Sequence, residues 1–287
     1  MNIQRIFTDL ADADPDVYER ISPRRASIRT FLRGISMAAV PVALGGLLQK
    51  AYGQSTPNTA LIIDTLNFAL TAEYLESNFY TTGMNTPGLV AQFNTLGIRD
   101  GVELLRQNET AHRELVKATI IKLGGTPKSE PRFDFTGGKG QGGGPFQDVL
   151  TNAATFIAVA QAFEETGVRA YKGQAKNLMT DKAVLTAALD IHSVEGRHAA
   201  YLRMVRKTKF NVDIKPWITG TESGIPQPAA QPSYAGEDNT MQSTVNIITL
   251  PNSATKANIT TAAATEAFDE PLDRATVEAI LSNFIIP

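Results

Sequence analysis

Two short stretches, Glu109-Thr110-Ala111-His112 and Glu195-Gly196-Arg197-His198, share the pattern Glu-x-x-His. On an α-helix, residues three apart lie on one face, so each stretch sets a carboxylate beside an imidazole. Each is preceded by a Glu with a Tyr seven residues further on: Glu73 with Tyr80, and Glu164 with Tyr171. The order Glu, Glu-x-x-His, Glu, Glu-x-x-His reads as a degenerate internal repeat. Pooled, the four stretches supply four carboxylates and two imidazoles, the donor set of a dinuclear carboxylate centre inside a four-helix bundle. One Glu-x-x-His arises by chance in Glu-rich helices. Here the chain has only three His, and two of them complete the motif.

Composition narrows the chemistry. With no Cys among 287 residues, disulfides, thiolate-held zinc, iron–sulfur clusters and cysteine nucleophiles are excluded. Any metal is held by oxygen and nitrogen. A net charge of −2, with no basic stripe interleaved with aromatics, gives no drive toward nucleic acid.

Four helices must position these residues. The first is expected over 60–82, with Leu66, Ala69, Leu70, Glu73, Ser77 and Tyr80 on one face. A carboxylate in such an apolar stripe is costly unless paired or bound to metal. Glu76 is the rival ligand, and the shared spacing to Tyr selects Glu73. The second helix is expected over 99–123, with Val102, Leu105, Glu109, His112 and Val116 facing inward. The third is expected from Pro145, a favoured first-turn residue, to 178, with Phe156, Ile157, Ala160, Glu164, Val168 and Tyr171 facing inward. Its neighbour Glu165 points about 100° away, to the surface or to a place behind the ligands. The fourth, over 181–207, turns Ile191, Glu195, His198 and Leu202 inward. It leaves His192 as an extra imidazole and puts Arg197, Arg203, Arg206 and Lys207 on the outside.

Between the second and third helices run about twenty residues without helical pattern, including the Gly-rich stretch 137–144. It lacks the Gly-Lys-Ser/Thr ending and the preceding strand of a phosphate-binding loop. A long connection at this point is instead a bundle crossover. Residues 1–53 read as an export signal or N-terminal anchor: an Arg cluster (Arg24, Arg25, Arg29, Arg33), an apolar run from Gly34 to Gln49, and Ala51-Tyr52-Gly53 as a cleavage pattern. The stretch Ser27 to Arg33 resembles a twin-arginine signal with Ile28 where the first Arg would stand. Export to a bacterial periplasm is expected, the alternative being a membrane anchor that is not removed. The bundle is placed at 54–210. Residues 211–287, rich in Pro, Gly, Thr and Ser, read as a loop-rich extension with a β-prone run at 244–250 and a short helix at 274–283.

The stretches Leu66 to Leu70 through Glu73-Tyr74-Leu75-Glu76, Phe163 to Val168 through Ala170-Tyr171, and Glu195 to His198 resemble the ferritin-like domain family, which includes exported bacterial and desiccation-related members. The resemblance covers about 58–207, with a weaker echo in Asp269-Glu270-Pro271. It implies an all-α fold: a ferritin-like four-helix bundle with a long crossover between helices 2 and 3. It also implies a pair of iron or manganese ions on Glu73, Glu109, His112, Glu164, Glu195 and His198. The implied activity is redox chemistry toward oxygen or peroxide, ferroxidase- or catalase-like. The alternative is a metal-binding or stress-protective structural protein without turnover. Expected partners are metal ions and oxygen or peroxide, with no nucleic acid. Membrane association through the N-terminal segment and homo-oligomerisation are further expectations, whereas storage in a hollow shell is not expected.

Overall fold

A computed structural model describes residues 57–287. The leader, its cleavage pattern and the export expectation lie outside the described residues. Among the described residues five helices come first: α1 (Thr59–Met84), α2 (Pro87–Leu96), α3 (Arg99–Lys122), α4 (Ala153–Leu178) and α5 (Lys182–Phe210). Helix α2 is short and follows α1 after a turn. Pro87-Gly88, a pair that fits the close of a helix, instead opens one: Pro87 sits in the first turn of α2 and needs no N–H there. Helices α1, α3, α4 and α5 form the bundle.

Local chemistry sets the helix ends. The side chain of Asn58 accepts from Leu61 N at the start of α1, and that of Asp181 accepts from Ala183 N and Val184 N at the start of α5. The third bundle helix begins at Ala153 rather than near Pro145, because the cap is Asn152, whose Oδ1 accepts from Ala154 N. Helix α5 stops at Asn211, which adopts the left-handed conformation (φ 55°) common at such ends.

The closest pairings are α4 with α5 and α1 with α3; α1 also packs on α4, while α3 and α5 meet only sparsely. The apolar core falls into two clusters. One contains Phe79 stacked on Phe156 at 4.2 Å between centroids, with Phe163, Val102, Leu105 and Leu202. The other contains Ile62, Leu66, Leu70, Val116, Ile120, Val184 and Ile191. On α3 and α5 the motif residues lie in sequence between the two clusters. The carboxylates therefore form a polar layer across an otherwise apolar interior.

The crossover and the extension are bound together. Asp134 N donates to Phe284 O (2.7 Å), Lys139 N to Asn283 O (3.2 Å) and Ile286 N to Arg132 O (2.9 Å). A Cβ on Gly144 would fall 2.1 Å from the Thr136 carbonyl oxygen, so glycine at this position allows close backbone approach. After α5 the chain forms a 3₁₀ segment (Pro228–Tyr234), a small hairpin of β1 (Met241–Gln242) and β2 (Val245–Asn246), and helices α6 (Thr261–Glu266) and α7 (Arg274–Ser282). No helix among the described residues is long and apolar enough to cross a membrane.

Two arginines overturn the expectation that they line the outside. Arg203 and Arg206 are buried, at 1% and 4% exposure. Arg203 Nε is paired with Glu165, and its Nη2 donates to Glu222 O at 2.9 Å. Arg206 Nη1 donates to Gln161 Oε1 (2.6 Å) and Ser223 O (2.9 Å). The extension covers this side of α5 and supplies backbone carbonyls to the guanidinium groups, which is why they tolerate burial.

Candidate metal centre

Glu73 comes from α1, Glu109 and His112 from α3, Glu164 from α4, and Glu195 and His198 from α5. All six are buried, with the four carboxylates at 0% exposure. They form two overlapping groups, Glu73/Glu109/His112/Glu195 and Glu109/Glu164/Glu195/His198. Within each, one ligand atom per residue lies within 4.8 Å of all the others. Glu109 and Glu195 belong to both.

Both imidazoles turn Nδ1 inward. His112 Nδ1 is 3.1 Å from Glu195 Oε1, 3.2 Å from Glu109 Oε2 and 3.8 Å from Glu73 Oε2. His198 Nδ1 is 2.9 Å from Glu109 Oε1 and 3.0 Å from Glu164 Oε2. The two tyrosines of the sequence pattern reach across the bundle. The Tyr80 hydroxyl donates to Glu164 Oε1 at 2.5 Å, and that of Tyr171 donates to Glu73 Oε1. Each outer carboxylate thus has one oxygen anchored by a phenol from the opposite half of the repeat.

The electrostatics calls for cations. Burial, then the charges of neighbouring carboxylates, pushes Glu73 and Glu195 well above the ordinary carboxylate range. For Glu109 burial acts in the same direction, but hydrogen bonds from His112 and His198 outweigh it and leave the group below its usual value. Burial alone would lower His198; Glu164 and Glu109 overcome that and raise it to about 10. Glu73 Oε2, Glu109 Oε1 and both oxygens of Glu195 are buried without a hydrogen-bond partner. Glu109 Oε1 lacks an aligned bond even with His198 Nδ1 2.9 Å away, so these groups converge on common points rather than satisfying one another. Orphaned buried carboxylate oxygens are costly, and a bound divalent cation satisfies them. The donor set fits a metal.

Other flagged residues fall elsewhere. Glu76, the rival ligand, is in neither group but lies against the site. A Cβ on Gly167 would sit 3.1 Å from Glu76 Oε1 and 3.2 Å from Glu195 Oε2. Burial, then Glu109, Glu164 and Glu73, raises its pKa well above normal. Glu165 is not at the surface: it faces Arg203, Gln161 Nε2 (3.2 Å) and the inner side of the extension. His192 lies outside both groups and uses Nδ1 to reach Val168 O at 2.9 Å.

Sequence reasoning missed Asn108. Its side-chain amide lies 3.0 Å from His198 Nε2, on the side away from the ligand cluster. The atom that faces the ring is the amide Nδ2, whose N–H donates to Nε2 and holds the ring with Nδ1 toward Glu109 and Glu164; a metal on Nδ1 would put the proton on Nε2 and require the amide to turn its oxygen to it. The only sequence signal was position, immediately before the Glu of a Glu-x-x-His.

A family model described as ferritin-like domain matches residues 62–208, just over half of the chain. The protein belongs to the ferritin-like domain family. The match spans all four bundle helices and both Glu-x-x-His stretches, and it ends where α5 gives way to the extension. No curated protein matches the chain. The ferritin-like bundle, with its long link between α3 and α4, is the all-α fold expected from the sequence.

Proposed function

We propose that this ferritin-like protein holds two iron or manganese ions, one in each donor group, and that the pair reacts with oxygen or peroxide. The observation that carries this reading is the sharing of Glu109 and Glu195 by two four-residue groups. Two groups that have two carboxylates in common would hold their ions as one centre rather than as two independent sites. An all-oxygen-and-nitrogen donor set suits either metal.

When bound, the metal pair supplies Lewis acidity and electrons to an oxygen or peroxide ligand. The chain does the rest. Tyr80 and Tyr171 hold the outer carboxylates in place, and the two apolar clusters exclude water from both ends of the bundle. Helices α3 and α5, which carry the two imidazoles, meet only sparsely, and the side chains of His112 and His198 are 11% and 7% exposed, whereas the four carboxylates are at 0%. His198, which holds a proton against Glu109 and Glu164, must surrender it from Nδ1 to ligate, so loading releases protons.

Metal content per chain, measured on protein purified without chelators, tests the proposal against a Glu109→Ala/His198→Ala double variant. About two ions per chain in the parent, lost in the variant, is the expected result; equal content in both overturns it. Peroxide and oxygen consumption then separates turnover from metal binding alone. Export forms part of the same proposal, supported by the leader pattern. N-terminal sequencing of the mature protein from the cell envelope tests it, with Gln54 as the expected first residue.

A further inference from the structure

A cavity of about 420 Å³ lies between the outer face of α5 and the extension, separate from the metal centre. It falls in the size range of small-molecule sites. Its wall includes the rings of Trp217 and Phe268, 51% and 39% exposed, together with His192, Glu237 and Asp269. No Lys or Arg lines it.

The unused hydrogen-bonding capacity in this wall is that of acceptors. Glu237 is 2% exposed; its Oε1 accepts from Glu270 N (3.0 Å) and forms an ion pair with Arg169 Nε (2.8 Å), whose N–H donates to Glu270 O. Its Oε2 receives no hydrogen bond among the described residues. The nearest cation to Asp269 is Lys172 at 3.6 Å, beyond a good hydrogen bond. His192 donates through Nδ1 to Val168 O, which leaves Nε2 as an acceptor in the neutral ring. The other two acids of the wall are matched by Arg203 and Lys215. A ligand that completes this wall brings N–H donors, a positive charge and an apolar body to lie against the two rings.

We propose that this cavity binds a small organic cation, a primary ammonium or guanidinium on a compact apolar skeleton. The site is built by the extension on α5, so it is a feature added to the ferritin-like bundle and stands whether or not the metal reading holds.

Trp217 is the only tryptophan in the chain, so its fluorescence reports on this cavity alone. The full-length protein is titrated with isopentylamine, isopentanol and isovalerate, which share a carbon skeleton and differ in charge. A saturable change with the amine is expected, at least tenfold tighter than with the alcohol and absent with the acid. Asp269→Asn and Glu237→Gln should each weaken the amine tenfold or more, with circular dichroism confirming the fold. Asp269 is partly exposed, so its variant serves even if Glu237→Gln unfolds. No response to the amine, an equal response to all three probes, or an amine response unchanged in the folded variants overturns the proposal.

Discussion

Asn108 has no counterpart in the other half of the repeat. Aligning the two Glu-x-x-His stretches places Val194 at the equivalent position, and an aliphatic side chain offers no hydrogen bond. Among the described residues, His112 Nε2 has no hydrogen bond. The two ions should therefore be held unequally, the one on His198 more tightly. Asn108→Val is expected to weaken the tighter ion about 10–100-fold, the usual consequence of losing such a partner. Calorimetric titration of the metal-free protein would show this as convergence of two binding steps; unchanged steps would contradict it. The six candidate ligands could be named from the sequence because Glu and His three apart on an apolar stripe have few structural explanations, and the fold brings all six together. Arg203 and Arg206 were not legible. Charge alone placed them outside, and only the folded extension, far along the chain, supplies the carbonyls that bury them.

Among the elements, the pairing of α4 with the segment that leads into α7 depends on a glycine. A Cβ on Gly173 would sit 2.0 Å from the carbonyl oxygen of Leu272, while Leu272 N donates to Arg169 O at 3.1 Å. Gly173→Ala should lift this segment from α4 and cost about 1–3 kcal/mol, the range for inserting a methyl into a packed contact. Chemical denaturation measures the loss, and a stability within a few tenths of the parent would show that the segment is not seated there. The bundle helices were readable from period and spacing. Their ends were less so, because Pro145 and Pro87-Gly88 each fit more than one role. A proline favours a first turn, but the side-chain cap on Asn152 decides where α4 starts, and capping depends on backbone geometry that sequence does not display.

For the whole molecule, the buried layer ties stability to pH and metal. Glu73, Glu76 and Glu195 bind protons more tightly folded than unfolded, so without metal their contribution declines as pH rises above the unfolded value of 4.5. His198 acts in the same direction: its contribution is full below 6.5 and is lost as pH rises toward about 10. Glu109 opposes them only below 4.5. The chelated protein should thus melt several degrees lower at pH ~8.5 than at pH ~5.5, and added metal should flatten the difference. A melting temperature that rises over this interval would contradict the assignment of the layer. The crossover, pinned at Arg132, Asp134 and Lys139 to residues 283–286, carries a consequence for synthesis. All six candidate ligands have left the ribosome well before the segment that fastens this loop emerges. The nascent bundle therefore passes through a stage with the side chains of its buried polar layer present and its long link unsecured.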